Sequence, residues 1–370
     1  MKNVHFITKN SQIEDYLITP VNYNKKALYE RGYKVQIFYK LTKKSLSCDI
    51  LCLISKPIIQ MLRERDSVFK ESGPVVSFVK EARKYCNKII WMDISDSTSV
   101  THFELLSYLD LYLKKHLLKD KTLYQKEFYG GRIFTDFYHK RFGVVDSFPF
   151  KQFYPLDMNL VHKVGLSWNM GMGIMYNAFS KINQFRRLLR DYLPVNYEIP
   201  FTNPGKKRDL DIFLRTSRNL PRETVAFHRQ ELVRRLDAML QRANSLTGSV
   251  KGKIPLKKYM EMMKNSKITF GPFGWGELNI REYEAYICGT LLLRPDISHM
   301  ETWPSIFVAG ETYQPYRWDF EDLESTIKEL LKGEGRRLQI ARSGQEAYRD
   351  SISPLGMERF CGWFIQQIDK

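Results

Sequence analysis

The sequence predicts an α/β protein with two Rossmann-like domains facing across a cleft. Three observations predict it. Short apolar runs alternate with amphipathic stretches, the β-α-β rhythm of a parallel, doubly wound sheet. The rhythm pauses at "NPGKKRD" (203–209), whose Pro, Gly and charge content marks a linker, and then restarts. The length, 370 residues, exceeds one ordinary core and suits two. The expected division is an N-terminal domain over 1–200, a C-terminal domain over 201–350, and a final helix over 351–370.

In order along the chain, "VHFIT" (Val4 to Thr8) reads as the first strand. "VNYNKKALYERGY" reads as a helix with Gly32 where a C-cap belongs. "KVQIFY" is the second strand. "CDILCLIS" is a continuous apolar run, as a strand covered on both faces requires. "GPVVSFVKEARKYCN" is a basic helix leading into the strand "KIIWMDIS", and "LDLYLKK" is the next strand. "YGGRIFTDFYHKRFGVVD" has little regular pattern and reads as loop. "NMGMGIMYNAFSKINQFRRLLRDYLP" contains a long amphipathic helix. After the linker come the strand "LDIFLRT", the long helix "PRETVAFHRQELVRRLDAMLQRAN" with proline at its start, the helix "PLKKYMEMMKNS" and the strand "KITF". The helix "IREYEAYICG", the strand "TLLLRP" and the helices "DFEDLESTIKELLK", "RRLQIARSGQEAYRD" and "GMERFCGWFIQQIDK" complete the chain. No internal repeat or low-complexity tract occurs.

Composition narrows the class. Hydrophobic residues make up 43%, which excludes a disordered chain. No apolar run approaches the roughly 20 residues of a membrane helix, and the N-terminus lacks the apolar core of a signal peptide, so a cytoplasmic protein is expected. The five cysteines form no CxxC pair and have no histidines to complete a zinc site, so reduced, mostly buried thiols are expected. The net charge of +17 implies a polyanionic partner. No RNA-reading motif or zinc finger accompanies it, so nucleic acid is not the expected partner. An anionic membrane surface remains a candidate, with peripheral placement at its inner face. A soluble basic surface is the plainer alternative. There is no P-loop lysine motif, GxSxG elbow, HExxH or GxGxxG.

The informative stretch is "SKITFGPFGWGELNIREYEAYICGTLLLRP" (266–295). A strand ends in a loop holding Gly271, Gly274 and Gly276, where bare backbone can approach a ligand closely. A helix follows. Its N-terminus carries partial positive charge and Arg281 adds a full one, a setting for phosphate or pyrophosphate. Glu284 lies three residues on, on the same helix face. It can accept two hydrogen bonds from a vicinal diol such as a ribose. Diphosphate with diol describes a nucleotide, and a nucleotide in a two-domain cleft suggests a nucleotide sugar. A structural Gly-rich turn with an Arg–Glu pair is the alternative.

The order of these residues, with Arg281, Tyr283, Glu284, Ala285, Gly289 and Thr290 as its core, resembles the donor-binding region of GT-B glycosyltransferases of the group-1 and spore-coat type. The resemblance covers about Tyr259 to Pro295, and loosely reaches Trp318. It implies a GT-B-like fold, with the final helix over 351–370 returning to the N-terminal domain, and a sugar transferred from a nucleotide-sugar donor, held by the second half, to a glycan or lipid-linked glycan acceptor, met by the first. Surface-polysaccharide assembly of the bacterial type is the implied setting. In retaining members two glutamates stand eight positions apart. The second matches Glu284, which by resemblance binds the ribose. The first falls on Gly276, and the glutamate here is Glu277, one residue on. Glu277 is carried over as the sugar-side candidate with that offset.

Other candidates are less specific. In "FLRTSRNLPR", Arg215 and Arg218, and behind them Arg222, could fork onto the diphosphate. In "RPDISHMETWPSIF", Asp296, His299 and Glu301 follow a strand, and Trp303 could stack on a sugar or base. In "WMDISDST", Asp93 or Asp96 could deprotonate an acceptor hydroxyl; turn or capping aspartates are the alternative. His116 and His139 are acceptor-side candidates. No DxD metal pair is present, so neither an essential metal nor a cofactor is expected. Competing functions are a CMP-linked acid-sugar transferase or non-hydrolysing nucleotide-sugar epimerase on the same fold, and a non-catalytic polyanion-binding protein.

Overall fold

The computed structural model describes residues 1–9, 12–65, 73–148, 150, 152–173, 199–243, 245–250, 252 and 254–370. Among them run thirteen strands: β1 (Lys2–Ile7), β2 (Tyr33–Phe38), β3 (Cys48–Ile54), β4 (Cys86–Asp93), β5 (Leu111–Lys114), β6 (His116–Leu118), β7 (Val164–Leu166), β8 (Leu210–Phe213), β9 (Gly248–Ser249), β10 (Ser266–Phe270), β11 (Leu291–Pro295), β12 (Met300–Thr302) and β13 (Gln314–Tyr316). The first sheet has the order β2-β1-β3-β4-β5-β7 and the second β13-β11-β10-β8-β9. Every pairing within both is parallel. The expected α/β class with two parallel, Rossmann-like sheets is therefore what the chain forms.

The apolar runs explain the layering. Strand β3 is buried along Ile50–Ile54 and β11 along its whole length, so both need helices on two faces. One core cluster lies under Val4, Phe6 and Ile54 and continues through Phe134 and Phe273 to Leu291 and Tyr348. A second covers the other face of the first sheet around Leu51, Leu53, Trp91 and Tyr112. The five cysteines are unpaired thiols, four of them buried.

Most predicted elements fall within two or three residues of those observed. One segment read as loop is a helix. Ile133–Phe142 buries Phe134, Thr135 and Tyr138 and ends on Gly143, a left-handed C-cap at φ 67°. A helix at Ser55–Arg65 had no counterpart in the sequence reading, and "VNYNKKALYERGY" is covered by two helices, Gln12–Tyr23 and Lys25–Glu30. The amphipathic helix expected within "NMGMGIMYNAFSKINQFRRLLRDYLP" lies almost wholly outside the described residues.

The two sheets are tied together. Strands β6 and β12 form an antiparallel ladder, Met300 facing Leu118 and Thr302 facing His116. The last helix, Pro354–Ile368, lies against the first sheet. Phe360 meets Trp168 edge-on at 5.0 Å, Phe364 is 5.9 Å from Phe6, and Lys88 Nζ donates to the Ile368 carbonyl at 2.8 Å. No helix among the described residues is long and apolar enough to cross a membrane.

Candidate functional site

In open parallel sheets the crevice forms beyond the carboxyl ends of the strands, where strand order reverses. In the second sheet that point lies between β8 and β10. The loops after these two strands carry Arg215 and the glycine-rich segment. Facing them are the loops after β4, β5 and β7. Between the two sets is a cavity of about 380 Å³. Asp96, Lys115, His116, Asn169 and Met170 line it from the first half, and Tyr259, Asn279, Arg281 and Glu284 from the second.

The helix Ile280–Cys288 positions Arg281 and Glu284. Its start is braced from behind by the fully buried Glu282. One Glu282 oxygen accepts from the Asn279 N–H at 2.8 Å, and the other meets Arg294 Nη1 at 3.3 Å. The second nitrogen of Arg294 donates to the Glu277 carbonyl. Loop and helix are thus held by one buried guanidinium on β11, and the opposite face of the helix is turned to the cavity.

Arg281 donates through Nη2 to the Arg215 carbonyl at 2.5 Å. Its Nε and Nη1 are buried without a hydrogen-bond partner among the described residues, and so is Arg215 Nε. Buried guanidinium N–H groups left unmatched cost about 1–3 kcal/mol each or more, so the pair suits an acceptor that, the Tyr259 hydroxyl beside Arg281 apart, the described residues do not supply. Arg229 adds to the positive charge: burial and then the neighbouring Arg281 push it down to about 10. Glu284 accepts from the Tyr259 hydroxyl at 2.8 Å. Burial lifts its carboxyl above the ordinary range, although Tyr259 and Arg281 pull the other way.

The structure therefore brings Arg281, Arg215 and Glu284 together. It separates several other candidates from the cavity. Gly274 and Gly276 do not line it. The Gly274 N–H closes the loop onto the Gly276 carbonyl at 3.0 Å. A Cβ on Gly276 would stand 1.7 Å from the Asp96 carbonyl oxygen. Gly276 lets two loops from opposite sheets touch, and Gly274, where a Cβ would stand 2.1 Å from Arg229 Nη2, makes room for that guanidinium. Arg218 is exposed on its loop. Arg222 is committed to Asp146, at 2.6 Å. His299 is half-buried, edge-on to Trp318 at 5.2 Å, and burial lowers its imidazole pKa. Trp303 stacks on Trp363, and Glu301 pairs with Lys121. His139 stacks on Tyr129 and donates through Nδ1 to the Val144 carbonyl.

The carboxylates proposed for catalysis divide. Asp93 is fully buried, paired with Lys114 at 2.9 Å and bonded by Tyr112 and the Ser95 N–H. Burial would raise its pKa, but Lys114 and His102 hold it far below the carboxylate range. A group so enclosed cannot meet an acceptor hydroxyl, so Asp93 is removed from the candidate bases. Asp96 does line the cavity, gripped by Lys56 at 3.0 Å and Lys115 at 3.4 Å. These two lysines outweigh burial and hold it down to about 2. Glu277 is also fully buried. It accepts from Ser97 Oγ at 3.0 Å, Thr98 N at 3.0 Å and Thr98 Oγ1 at 2.7 Å. Its carboxylate joins the two halves and does not point at open space. Lys115 and Asn169 are also on the wall, and no local motif in the sequence marks either of them. Among the described residues no three His, Cys, Asp or Glu side chains converge as a metal site requires.

Comparison with known proteins bears on the second half. Several solved structures overlap the whole fold loosely. An alpha-glucosyltransferase in complex with UDP and a 13-mer DNA containing a HMU base is 10% identical over 100% of each chain, TM-score 0.44. MnaA of S. aureus with UDP is 9% identical over 100% of this chain and 98% of that one, TM-score 0.44. TarM is 9% identical over 87% of this chain and 55% of that one, TM-score 0.45. No curated protein matches the chain. Residues 222–354, which hold Arg281, Glu284 and the brace behind them, match the family model described as glycosyl transferase-like, and the resemblance read from the sequence is borne out over that span.

Proposed function

We propose that the chain is a glycosyltransferase that moves a sugar from a nucleotide-sugar donor to a glycan or lipid-linked glycan acceptor. One observation carries the reading. Arg281, inside the segment that matches the glycosyl transferase-like model, lines a cavity between two parallel sheets beside Tyr259 and keeps two buried N–H groups without a well-aligned partner among the described residues. A diphosphate supplies the acceptors those donors lack, and Arg215 adds a second guanidinium. Glu284, one helical turn along the same face, lines the same cavity, where a carboxylate would accept from a ribose diol.

In such a transfer the bond between the anomeric carbon and the diphosphate oxygen breaks, and the acceptor oxygen forms the new bond. Charge develops on the leaving diphosphate, where the arginines would stabilise it in a site shielded from water. This guanidinium charge is the support for a metal-independent transfer. Turnover unchanged by EDTA is the corresponding expectation. Surface-polysaccharide assembly and a basic face on an anionic membrane are the setting consistent with the net charge of +17.

The test is binding. UDP, GDP, ADP, TDP and CMP are titrated against wild type and Arg281→Gln by thermal shift. One nucleoside diphosphate should raise the melting temperature of wild type and leave the variant unmoved. At 100 times the dissociation constant the stabilisation is about 2.7 kcal/mol, so the absence of any shift at millimolar nucleotide overturns the reading.

A further inference from the structure

The wall opposite Arg281 carries charge that the donor reading does not use. Lysines 114 and 115 are consecutive, and both are buried. They have different surroundings. Lys114 is closed off, donating to Asp93 at 2.9 Å and to the Val100 carbonyl at 2.8 Å. Among the described residues the Lys115 side chain, 6% exposed, reaches only Asp96 Oδ1 at 3.4 Å and the Met170 sulfur at 3.7 Å. Charge-assisted N–H···O bonds normally span about 2.7–2.9 Å. An ammonium has three donors, and here none makes a short bond.

Asp96 does not neutralise it fully. That carboxylate sits nearer Lys56, at 3.0 Å, so two lysines share one aspartate and the wall retains one positive charge. Burial and the adjacent lysines depress the Lys115 pKa, as an under-compensated ammonium requires. A buried cation without adequate partners is costly. Lys115 also lines the cavity shared with Arg281. A cavity-facing lysine in this condition is suited to an anion that arrives with a substrate.

We propose that Lys115 is the recognition point for an anionic group, a phosphate or carboxylate, on the acceptor. This rests on the donor reading above, because it assigns the nucleotide to the Arg281 wall and so leaves the Lys115 wall to the acceptor. An acceptor anion on Lys115 would also draw that lysine away from Asp96, leaving the carboxylate held by Lys56 alone and better able to take a proton from the acceptor hydroxyl.

The experiment uses the full chain saturated with the nucleotide found above, titrated with glucose 6-phosphate, glucuronate or glucose. The charged sugars should bind wild type at least tenfold tighter than glucose. Lys115→Met should abolish that preference with the nucleotide dissociation constant changed less than threefold, and Lys115→Arg should restore part of it. Lys115→Met keeps the volume but removes one of the two lysines that hold Asp96 down, so the double variant Lys115→Met/Asp96→Asn, which removes both charges, accompanies it as the control on folding. Unchanged sugar-phosphate binding in Lys115→Met would overturn the proposal, as would a preference lost in Lys115→Met but kept in full by the double variant, which would mark Lys115 as no more than a counter-charge for Asp96. A tenfold loss of nucleotide affinity in Lys115→Met would move Lys115 to the donor diphosphate. Lys115-dependent preference for UDP-glucuronate over UDP-glucose would move the anion to the donor sugar. A parallel titration with inorganic phosphate and no nucleotide keeps the two readings apart: Lys115-dependent phosphate binding where no nucleotide binds would sink the donor reading while leaving the anion site standing.

Discussion

Gly276 shows how much one absent methyl group can decide. Its α-carbon lies where a Cβ would come within 1.7 Å of the Asp96 carbonyl oxygen, a backbone atom that cannot rotate away. Gly276→Ala must therefore part the two loops and should lower stability by about 2 kcal/mol or more, with loss of nucleotide binding. The control is Gly335, in the helix Glu334–Ser351, where a Cβ meets nothing within 4 Å. Gly335→Ala should raise stability by about 0.4–1 kcal/mol. Chemical denaturation of both variants checks the pair. Beside Gly276, Glu277 accepts three hydrogen bonds from Ser97 and Thr98 at full burial. Glu277→Ala should thus behave as a structural lesion, at about 1–3 kcal/mol for each buried donor left unmatched. A variant that melts like wild type but loses only turnover would return Glu277 to the sugar site.

At the scale of elements, the sharpest dependency is the Arg294 brace. Arg294→Met strands Glu282 as an unpaired buried carboxylate and should cost about 3–5 kcal/mol. Glu282→Gln in the same chain should recover a large part, and a double-mutant cycle on the denaturation midpoints gives the coupling. What the sequence makes legible is set by the same physics. Continuous apolar runs such as "CDILCLIS" and "TLLLRP" can only be covered strands, and they were found. Helix Ile133–Phe142 was not, because Thr135 stands among its buried positions and its polar residues break the apolar stripe. The glycines flanking it imitate a loop, although Gly143 is its cap. Arg281 and Glu284 were legible because a glycine loop and a helix start are local signals. Lys115 was not: a lysine at a strand end reads as solvated until a second sheet is known to stand opposite.

Across the whole molecule, the histidines at the join set a pH dependence. His228 bridges Tyr138 of the first half and Tyr316 of the second, and His116 bonds the Asp96 carbonyl. Burial pushes both imidazoles well below their ordinary value, with nearby lysines adding to the effect on His116 and Arg229 to that on His228. Below about pH 6.5 the unfolded chain takes up protons at these residues that the folded chain refuses. Stability should therefore be full above that pH and fall beneath it, by up to about 1.4 kcal/mol per pH unit for each histidine. Denaturation between pH 7.5 and 5 tests this, and His228→Gln should remove one histidine's share of the slope. A flat profile in wild type would contradict the burial of both rings.

The β6–β12 ladder has a consequence for synthesis. Leu118 leaves the ribosome long before its partner Met300. At about 5–20 residues per second, the sequence separation of 300 − 118 = 182 takes roughly 10–40 s. Throughout that interval His116–Leu118 is an open edge, apolar at Leu117 and Leu118, able to pair with the same strand of a neighbouring nascent chain. Fragments that stop short of β12 keep that edge permanently and should self-associate. The residues that close the edge are thus also those that end the chain's exposure to its own copies.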